Sequence, residues 1–266
     1  MTAPIHHDSV DRVAGAIDRL DRPLLLVFDC DGVLAPLTDH ADDSVLTPGV
    51  EDDLARLADT PDVTVAILSG RSLDGLDQFG FVDSIVVAGS YGGERRGTSI
   101  VELDADERQL LRALDAIAVD AAEQAGSGAW VERKPTSVVI HVREADPELG
   151  SQAIAEAWRR QSSLDGHECH EGSNVLEFMA RPTDKGRGLT DLRSEFSPGG
   201  TIYVGDDVPD EDAFAVLGAG DVSVKIGDGS TVATHRLTDA AAAAELINAL
   251  AERFDGAPRS AVSEKR

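Results

Sequence analysis

The stretch LLLVFDCDG, residues 24–32, decides the fold of this chain. Its unbroken apolar run, residues 24–28, predicts a short strand that is buried on both faces, as in a parallel sheet. The run ends at Asp29, and Asp31 follows two residues later. Open parallel sheets bind ligands beyond the carboxyl ends of their strands, so these two acids are candidates for a functional site.

Strands and helices alternate on either side of this stretch. Residues 63–68 and 85–88 are predicted to form further buried strands, and Thr47 and Pro48 predict the N-cap and first turn of an intervening helix. The alternation returns near the C-terminus, with predicted strands at 201–204 and 222–226. This pattern predicts an α/β fold with a doubly wound parallel-sheet core of the Rossmann-like type.

The block at residues 94–182 follows a different pattern. It contains a Gly-containing hairpin and four short strands beside two long amphipathic stretches, which is typical of an α+β unit. We therefore expect a core of residues 1–93 and 183–266, interrupted by a smaller α+β cap domain at 94–182.

The chain is strongly acidic, with 49 Asp and Glu against 24 Lys and Arg and a formal net charge of −25. Such a charge opposes binding to nucleic acids and to anionic membranes. The excess of acids together with few lysines favours a halophilic protein, and an ordinary acidic cytoplasmic protein is the alternative. No apolar run is long enough to span a membrane and no signal pattern is present, so we expect a cytoplasmic protein. We also expect a monomer.

Polar residues follow each predicted core strand. Ser69, Gly70 and Arg71 come after the second strand, Lys185 begins a predicted helix, and an acidic run at 205–210 follows the next strand. The carboxyl ends of parallel strands meet at one edge of a sheet, so these groups converge there. Each motif alone is compatible with an ordinary turn or helix cap, whereas all of them in order favour an oxygen-rich Mg²⁺ site.

This order of motifs resembles the haloacid dehalogenase superfamily of phosphotransferases. The resemblance implies that Asp29 attacks phosphorus and forms an aspartyl-phosphate. It implies that Asp31 acts first as general acid and then as general base. Ser69 would hydrogen-bond a phosphoryl oxygen, and Lys185 would neutralise the charge of Asp29 and of the phosphate.

The same resemblance implies a bound Mg²⁺ ion. Its protein ligands would be the Asp29 side chain, the backbone carbonyl of Asp31 and the side chain of Asp206. Asp210 would orient Lys185 or the metal-bound waters from outside the ligand set.

The predicted cap resembles the trehalose-6-phosphate phosphatase branch of that superfamily. The shared patterns are Trp-x-Glu-x-Lys-x-x-Ser at 130–137 and His-x-Arg at 141–143, with Glu177 and an Arg-Pro pair farther on. The resemblance implies trehalose 6-phosphate as substrate, and a trehalose-6-phosphate synthase working alongside. The residues then expected to bind substrate are Ser69, Gly70, Arg71, Glu132, Lys134, Arg143, Asn174 and Glu177.

Several assignments in the cap keep an alternative. Glu132 and Lys134 share a strand face, where they would bind sugar or form a surface ion pair. His141, which would share a face with Arg143, is either a sugar contact or a hydrogen-bonded core histidine. Asn174 and Glu177 would both reach a sugar only if a turn or bulge lies near residue 173. We expect the tryptophans Trp130 and Trp158 to be packing residues rather than platforms for a sugar ring.

Two positions depart from the branch pattern. Tyr91 stands where a histidine is usual, and Val33 stands where a threonine is usual. The alternatives are therefore a phosphatase for another sugar phosphate, such as mannosyl-3-phosphoglycerate or sucrose phosphate, or a non-catalytic sugar-phosphate-binding module. A mutase is disfavoured because the segment 35–47 leaves no room for the helical cap that such enzymes carry.

Overall fold

The computed structural model describes residues 6–38, 43–98, 103–172 and 174–255. These residues form two compact units. The core unit comprises the chain up to Gly97 together with the chain from Asp184 onward, and the inserted unit comprises Thr98–Thr183.

The core unit contains a seven-stranded sheet and the inserted unit contains a four-stranded sheet. The strands of the described residues, in chain order, are β1 (Leu24–Phe28), β2 (Val63–Leu68), β3 (Val86–Gly89), β4 (Glu94–Arg95), β5 (Trp130–Arg133), β6 (Ser137–His141), β7 (Glu168–Gly172), β8 (Val175–Met179), β9 (Gly200–Gly205), β10 (Val222–Ile226) and β11 (His235–Leu237). The helices are α1 (Val10–Ile17), α2 (Val50–Ala58), α3 (Leu73–Asp77), α4 (Ala105–Ala125), α5 (Pro147–Gln161), α6 (Lys185–Phe196), α7 (Val208–Ala215) and α8 (Ala240–Phe254).

The core sheet has the strand order β11-β10-β9-β1-β2-β3-β4. Its first six strands in this order are parallel, and β4 runs antiparallel to β3. Strand β1 lies in the middle of this sheet, which is covered on both faces. Its side chains point alternately to the two faces, so they join two different hydrophobic clusters. Leu24, Leu26 and Phe28 join the hydrophobic cluster that includes residues of α1, α2 and α8. Leu25 and Val27 join the cluster that includes residues of α6 and α7. The predicted doubly wound α/β fold is confirmed.

Helix α2 begins later than the sequence predicts. Thr47 is not its N-cap; instead the Thr47 carbonyl accepts a hydrogen bond from the amide of Val50, which closes a turn through Pro48. Gly49 caps the helix with a φ of 88°. Because glycine adopts this left-handed conformation without a steric penalty, the chain turns there before the helix starts.

The inserted unit is an antiparallel sheet backed by α4 and α5. Its strand order is β5-β6-β8-β7. Val138, Ile140, Leu176 and Phe178 pack on one face of this sheet into a cluster with residues of both helices. Strand β4 pairs with β3 in the core sheet, so the inserted unit begins after Gly97 rather than at residue 94. Residues 99–102 of the predicted hairpin lie outside the described residues.

Within the described ranges, every helix is too short or too polar to cross a membrane.

Candidate active site

The site of the core unit lies where the chain reverses its direction of travel across the sheet. From β1 the chain proceeds through β2 to β3 on one side, and later through β9 to β11 on the other. Asp29 directly follows β1, and Asp206 directly follows β9, its parallel neighbour. Such a switch point leaves a crevice at the carboxyl ends of the strands, so the fold brings these two predicted acids together.

Lys185, the first residue of α6, lies between two buried carboxylates. Its Nζ donates to Oδ1 of Asp29 at 2.9 Å and to Oδ1 of Asp210 at 2.6 Å. All three side chains are at most 8% exposed. Buried charges are tolerated only when they are paired and hydrogen-bonded, and this triad meets both conditions.

Asp210 is held by four hydrogen bonds. Its Oδ1 accepts from Lys185 and from the hydroxyl of Tyr203, the latter at 2.7 Å. Its Oδ2 accepts from the backbone amides of Asp206 and Asp207, at 2.9 and 2.8 Å. Because Asp210 stands at the third position of α7, this carboxylate closes the N-terminal cap of the helix. Asp210 therefore fixes both Lys185 and the loop that carries Asp206.

Two acids of the cluster, Asp29 and Asp206, resist losing their protons. Burial raises the pKa of Asp29 well above its usual value, and the charges of Asp210 and Asp206 add to this against the opposing charge of Lys185. Burial, and then Asp210, raise the pKa of Asp206 to about 7. Burial alone would lower the pKa of Lys185, but the two carboxylates outweigh it and raise that pKa. The cluster is thus richer in negative charge than Lys185 alone can balance.

The arrangement of carboxylates fits a divalent cation. One oxygen from each of Asp29, Asp206 and Asp210 can be chosen so that all lie within 4.8 Å of one another. Carboxylate oxygens are the donors that Mg²⁺ prefers, and the excess negative charge favours a cation there. Gly32 makes the site possible: it has a φ of 77°, and a Cβ at this position would lie 2.0 Å from Oδ2 of Asp206.

Asp31 does not join this cluster through its side chain. Its two oxygens accept from Nε and Nη2 of Arg71, each at 2.6 Å, and Ser44 Oγ also contacts Oδ1 at 3.3 Å. The guanidinium further lies over the ring of Phe79. The sequence predicts Arg71 only as a substrate contact and does not predict this bidentate pair, whose members are forty positions apart in the chain.

Ser69 and Gly70 lie beside the residue that departs from the family pattern. Ser69 is buried, its Oγ accepts from the amide of Arg71 at 3.2 Å, and its carbonyl accepts from the amide of Tyr91. A Cβ on Gly70 would lie 2.8 Å from the ring of Tyr91, so a larger residue there would have to displace that ring. Tyr91 therefore occupies the edge of the predicted phosphate site. The other departure, Val33, is fully buried in the hydrophobic core.

Two further residues support the site and were not predicted. Tyr203 in β9 donates to Asp210, and Lys225 in β10 donates through Nζ to the backbone carbonyl of Asp206. Both side chains are buried. The signal was present in the sequence, because a lone tyrosine or lysine in a strand that is buried on both faces needs a polar partner.

A second group of predicted residues meets in the inserted unit. The Nζ of Lys134 donates to Oε1 of Glu177 at 3.1 Å, and the hydroxyl of Ser137 donates to the same oxygen at 2.6 Å. Lys134 is only 9% exposed, so its predicted alternative of a surface ion pair does not fit.

Glu132 lies in the same region with a different partner. Its Oε2 lies 3.0 Å from Nε2 of His141, and the ring of His141 stacks on the indole of Trp130. Burial would raise the pKa of Glu132, but the hydrogen bond with His141 and the charge of Lys134 together lower it. The expectation that Trp130 is a packing residue is wrong, because its side chain does not enter the core and the residue is 53% exposed.

The last two predicted sugar ligands are exposed turn residues. Strand β6 ends at His141, so Arg143 lies in the following turn and does not share a strand face with it, contrary to the prediction. Asn174 precedes β8 with a φ of 62°. A turn therefore lies between β7 and β8, where the prediction required one; Ser173 itself lies outside the described residues.

Comparison with known proteins identifies the family. A family model described as trehalose-phosphatase matches residues 27–244. Trehalose-6-phosphate phosphatase of Escherichia coli is 31% identical over 224 residues, which cover 79% of this chain and 80% of that protein. A bifunctional trehalose-6-phosphate synthase/phosphatase of Thermoproteus tenax is 30% identical over 243 residues, which cover 87% of this chain and 32% of that protein.

Solved structures agree with this result. The structure of trehalose-6-phosphate phosphatase of Aspergillus fumigatus has a TM-score of 0.67 and 25% identity, and the match covers 94% of this chain and all of that one. The predicted family resemblance is confirmed: the chain belongs to the trehalose-phosphatase family of phosphoric monoester hydrolases.

Proposed function

We propose that this chain hydrolyses trehalose 6-phosphate with the aid of Mg²⁺ and through a phosphorylated Asp29. The observation that carries the chemistry is the buried Asp29–Lys185–Asp210 triad beside Asp206, at the carboxyl ends of β1 and β9. The names of the relatives support the substrate, since the matched proteins of Escherichia coli and Aspergillus fumigatus are both trehalose-6-phosphate phosphatases.

In the first step, an oxygen of Asp29 attacks phosphorus and the bond from phosphorus to the sugar oxygen breaks. Asp31 gives its proton to that oxygen, so the sugar leaves as a neutral alcohol. Lys185 neutralises the negative charge of the Asp29 carboxylate and of the phosphate. Its contact with Asp29 at 2.9 Å holds the nucleophilic carboxylate in a fixed position. The hydroxyl of Ser69 donates to a phosphoryl oxygen.

In the second step, Asp31 takes a proton from water, and the water oxygen attacks the phosphorus of phosphorylated Asp29. The acyl-phosphate bond breaks, phosphate leaves and Asp29 is regenerated. Because Arg71 holds both oxygens of Asp31, this ion pair opens as Asp31 takes part in proton transfer. The released guanidinium can then bind the phosphate. Arg71 would thus hold Asp31 before the reaction, as observed, and bind substrate during it, as predicted.

The residues that would hold Mg²⁺ are Asp29, the backbone carbonyl of Asp31 and Asp206. When bound, the ion would offset the repulsion between the nucleophilic carboxylate and the phosphate. Asp210 supports this site without being a ligand of the ion. Its carboxylate already accepts four hydrogen bonds, from Lys185, Tyr203 and the amides of the Asp206 loop.

The inserted unit supplies the residues for sugar recognition in this proposal. Its Glu132, Lys134 and Glu177 offer charged groups that make several hydrogen bonds each, as an array of sugar hydroxyls requires. Arg143 and Asn174 lie in exposed turns from which they can reach a ligand. Specificity thus belongs to this unit and phosphoryl chemistry to the core unit.

The experiment is phosphate release from a panel of sugar phosphates, with Mg²⁺ and at low and high salt. The panel contains trehalose 6-phosphate, sucrose 6-phosphate, glucose 6-phosphate and mannosyl-3-phosphoglycerate. Strong preference for trehalose 6-phosphate supports the proposal. Preference for another ester would leave the proposed phosphoryl chemistry intact but rule out trehalose 6-phosphate as the substrate. No release from any ester would favour a non-catalytic binding module.

The control variant is Asp29→Asn. Lys185 keeps its contact with Asp210 in this variant, so the fold should survive. Turnover should fall by roughly a thousandfold or more, because the amide is not a nucleophile. Substantial activity in the folded variant would remove Asp29 from the nucleophile role.

The setting of the enzyme is also part of the proposal. The Thermoproteus tenax relative carries synthase and phosphatase in one chain, which supports cooperation of this chain with a trehalose-6-phosphate synthase. The net charge of −25 supports activity at high salt. Cytoplasmic location and a monomeric state stay predictions from the sequence.

A further inference from the structure

The inserted unit carries an indole whose position folding does not explain. Trp130 lies in the edge strand β5 and is 53% exposed. The other tryptophan, Trp158, packs against the hydrophobic cluster of the same unit. Burial of an aromatic side chain is strongly favourable, so an exposed indole that is nevertheless held in place suggests a binding role.

Trp130 is held by a stack of side chains on one sheet face. Its ring lies parallel to that of His141, with an interplanar angle of 2° and a centroid distance of 3.9 Å. The two residues are direct partners across β5 and β6. Glu132 in turn holds His141 through a contact of 3.0 Å. The indole therefore has a defined orientation, with one side covered by the imidazole.

The same sheet face carries hydrogen-bonding groups. Alternation along β5 places Glu132 on the face of Trp130, and the strand register continues this row through Val139 of β6 to Glu177 of β8. The opposite face is the one that packs against α4 and α5. A flat aromatic surface thus shares one sheet face with Glu132, its neighbour on that face of β5, and with Glu177, which is more buried.

This combination matches a neutral pyranose. One face of a sugar ring presents apolar C–H groups that can lie on an indole, while its hydroxyls donate to carboxylates. Glu132 and Glu177 would repel a phosphate placed directly on them, because the neighbouring cation Lys134 is already engaged with Glu177. The ring that contacts this face is therefore one without a phosphate.

We propose that Trp130 is the platform for the unphosphorylated sugar ring and so selects disaccharide phosphates over monosaccharide phosphates. His141 and Glu132 position the indole for this contact. The inference rests on the proposed function, which it deepens by naming a specificity-determining residue. A monosaccharide phosphate has no second ring and gains nothing from Trp130.

The kinetic test compares Trp130→Ala and Trp130→Phe with the unaltered enzyme. In the alanine variant, kcat/KM for trehalose 6-phosphate should fall roughly tenfold, and phenylalanine should restore part of it. Values for glucose 6-phosphate and p-nitrophenyl phosphate should stay within about twofold. Unchanged kcat/KM for the disaccharide phosphate, or equal losses on all three esters, would overturn the proposal.

The matched control is Leu149→Ala. Leu149 is an exposed apolar residue of α5 in the same unit, at 46% exposure. It lies outside the proposed platform, so its loss should change no kinetic constant. A loss equal to that of Trp130→Ala would show that any exposed apolar deletion in this unit disturbs turnover, and would also overturn the proposal.

A binding test needs no turnover. The chain has two tryptophans, so Trp158→Phe leaves Trp130 as the single indole. Unphosphorylated trehalose should then change the indole fluorescence saturably, and glucose should do so only at much higher concentration. No saturable change with trehalose would overturn the platform role. If the unaltered enzyme releases no phosphate from trehalose 6-phosphate, the proposed function fails, whereas a saturable response to a disaccharide would still support the platform.

Discussion

Replacement of Asp210 by asparagine should destabilise the core unit strongly. The carboxylate accepts four hydrogen bonds, two at each oxygen, and the residue is fully buried. The asparagine amide keeps one accepting oxygen and turns an NH₂ group toward two donors. Loss of two charge-assisted hydrogen bonds at about 1.5–3 kcal/mol each gives about 3–6 kcal/mol. Lys185 retains Asp29 as a counter-charge, so the lower half of this range applies.

The measurement is urea unfolding followed by circular dichroism in metal-free buffer. A loss of about 3–4 kcal/mol in the free energy of unfolding corresponds to a decrease of Tm on the order of 10 °C for a unit of this size. The control is Asp52→Asn, which alters an exposed acid in the first turn of α2 and should cost no more than about 0.5 kcal/mol. A loss below about 1 kcal/mol for Asp210→Asn would refute the reasoning, since it would mean that the four contacts do not hold the loop.

Three other predictions follow from contacts within the core unit. Tyr203→Phe removes one donor to Asp210 without changing the packing and should lower the free energy of unfolding by about 1.5–3 kcal/mol in the same assay; an unchanged value would contradict that hydrogen bond. Gly32→Ala places a Cβ 2.0 Å from Oδ2 of Asp206 and should reduce kcat by roughly a hundredfold or more in the phosphate-release assay; near-normal turnover would mean that Asp206 can move without loss. The pKa of Asp206 is raised from 3.8 to about 7 in the folded protein, so its contribution to stability is fully present below about 3.8 and is lost as pH rises from there through about 7. Mg²⁺ competes with that proton, so the increase in Tm that it causes should be larger at pH 8 than at pH 6, and equal increases at both would show that Asp206 does not bind the ion.

The sequence predicts that Asp29, Lys185 and Asp206 lie close together, as they do in the structure, because each of them directly follows a strand or begins a helix. Asp29, Ser69 and Asp206 each come directly after a strand, and parallel strands bring their carboxyl ends to one edge. Lys185 opens a helix with Asp184 as its N-cap, which fixes where its side chain begins. Their positions at the ends of parallel strands therefore suffice to predict that these residues lie at one edge of the sheet.

The sequence does not predict which side chains pair with each other. The Arg71–Asp31 pair and the stack of Trp130 on His141 depend on the distance between loops and on hairpin register, which apolar periodicity does not encode. The late start of α2 likewise follows from the left-handed conformation of Gly49. Local patterns thus place residues on elements, while the tertiary structure decides their partners.

The most direct test of the central claim is to trap the phosphorylated enzyme. Excess enzyme with Mg²⁺ is mixed with trehalose 6-phosphate labelled with ³²P and is quenched in acid at early times. The label should appear on the protein, be released by hydroxylamine as an acyl-phosphate is, and be absent in Asp29→Asn. Full-rate phosphate release without any labelled protein, in an enzyme whose Asp29→Asn variant still turns over, would contradict the account.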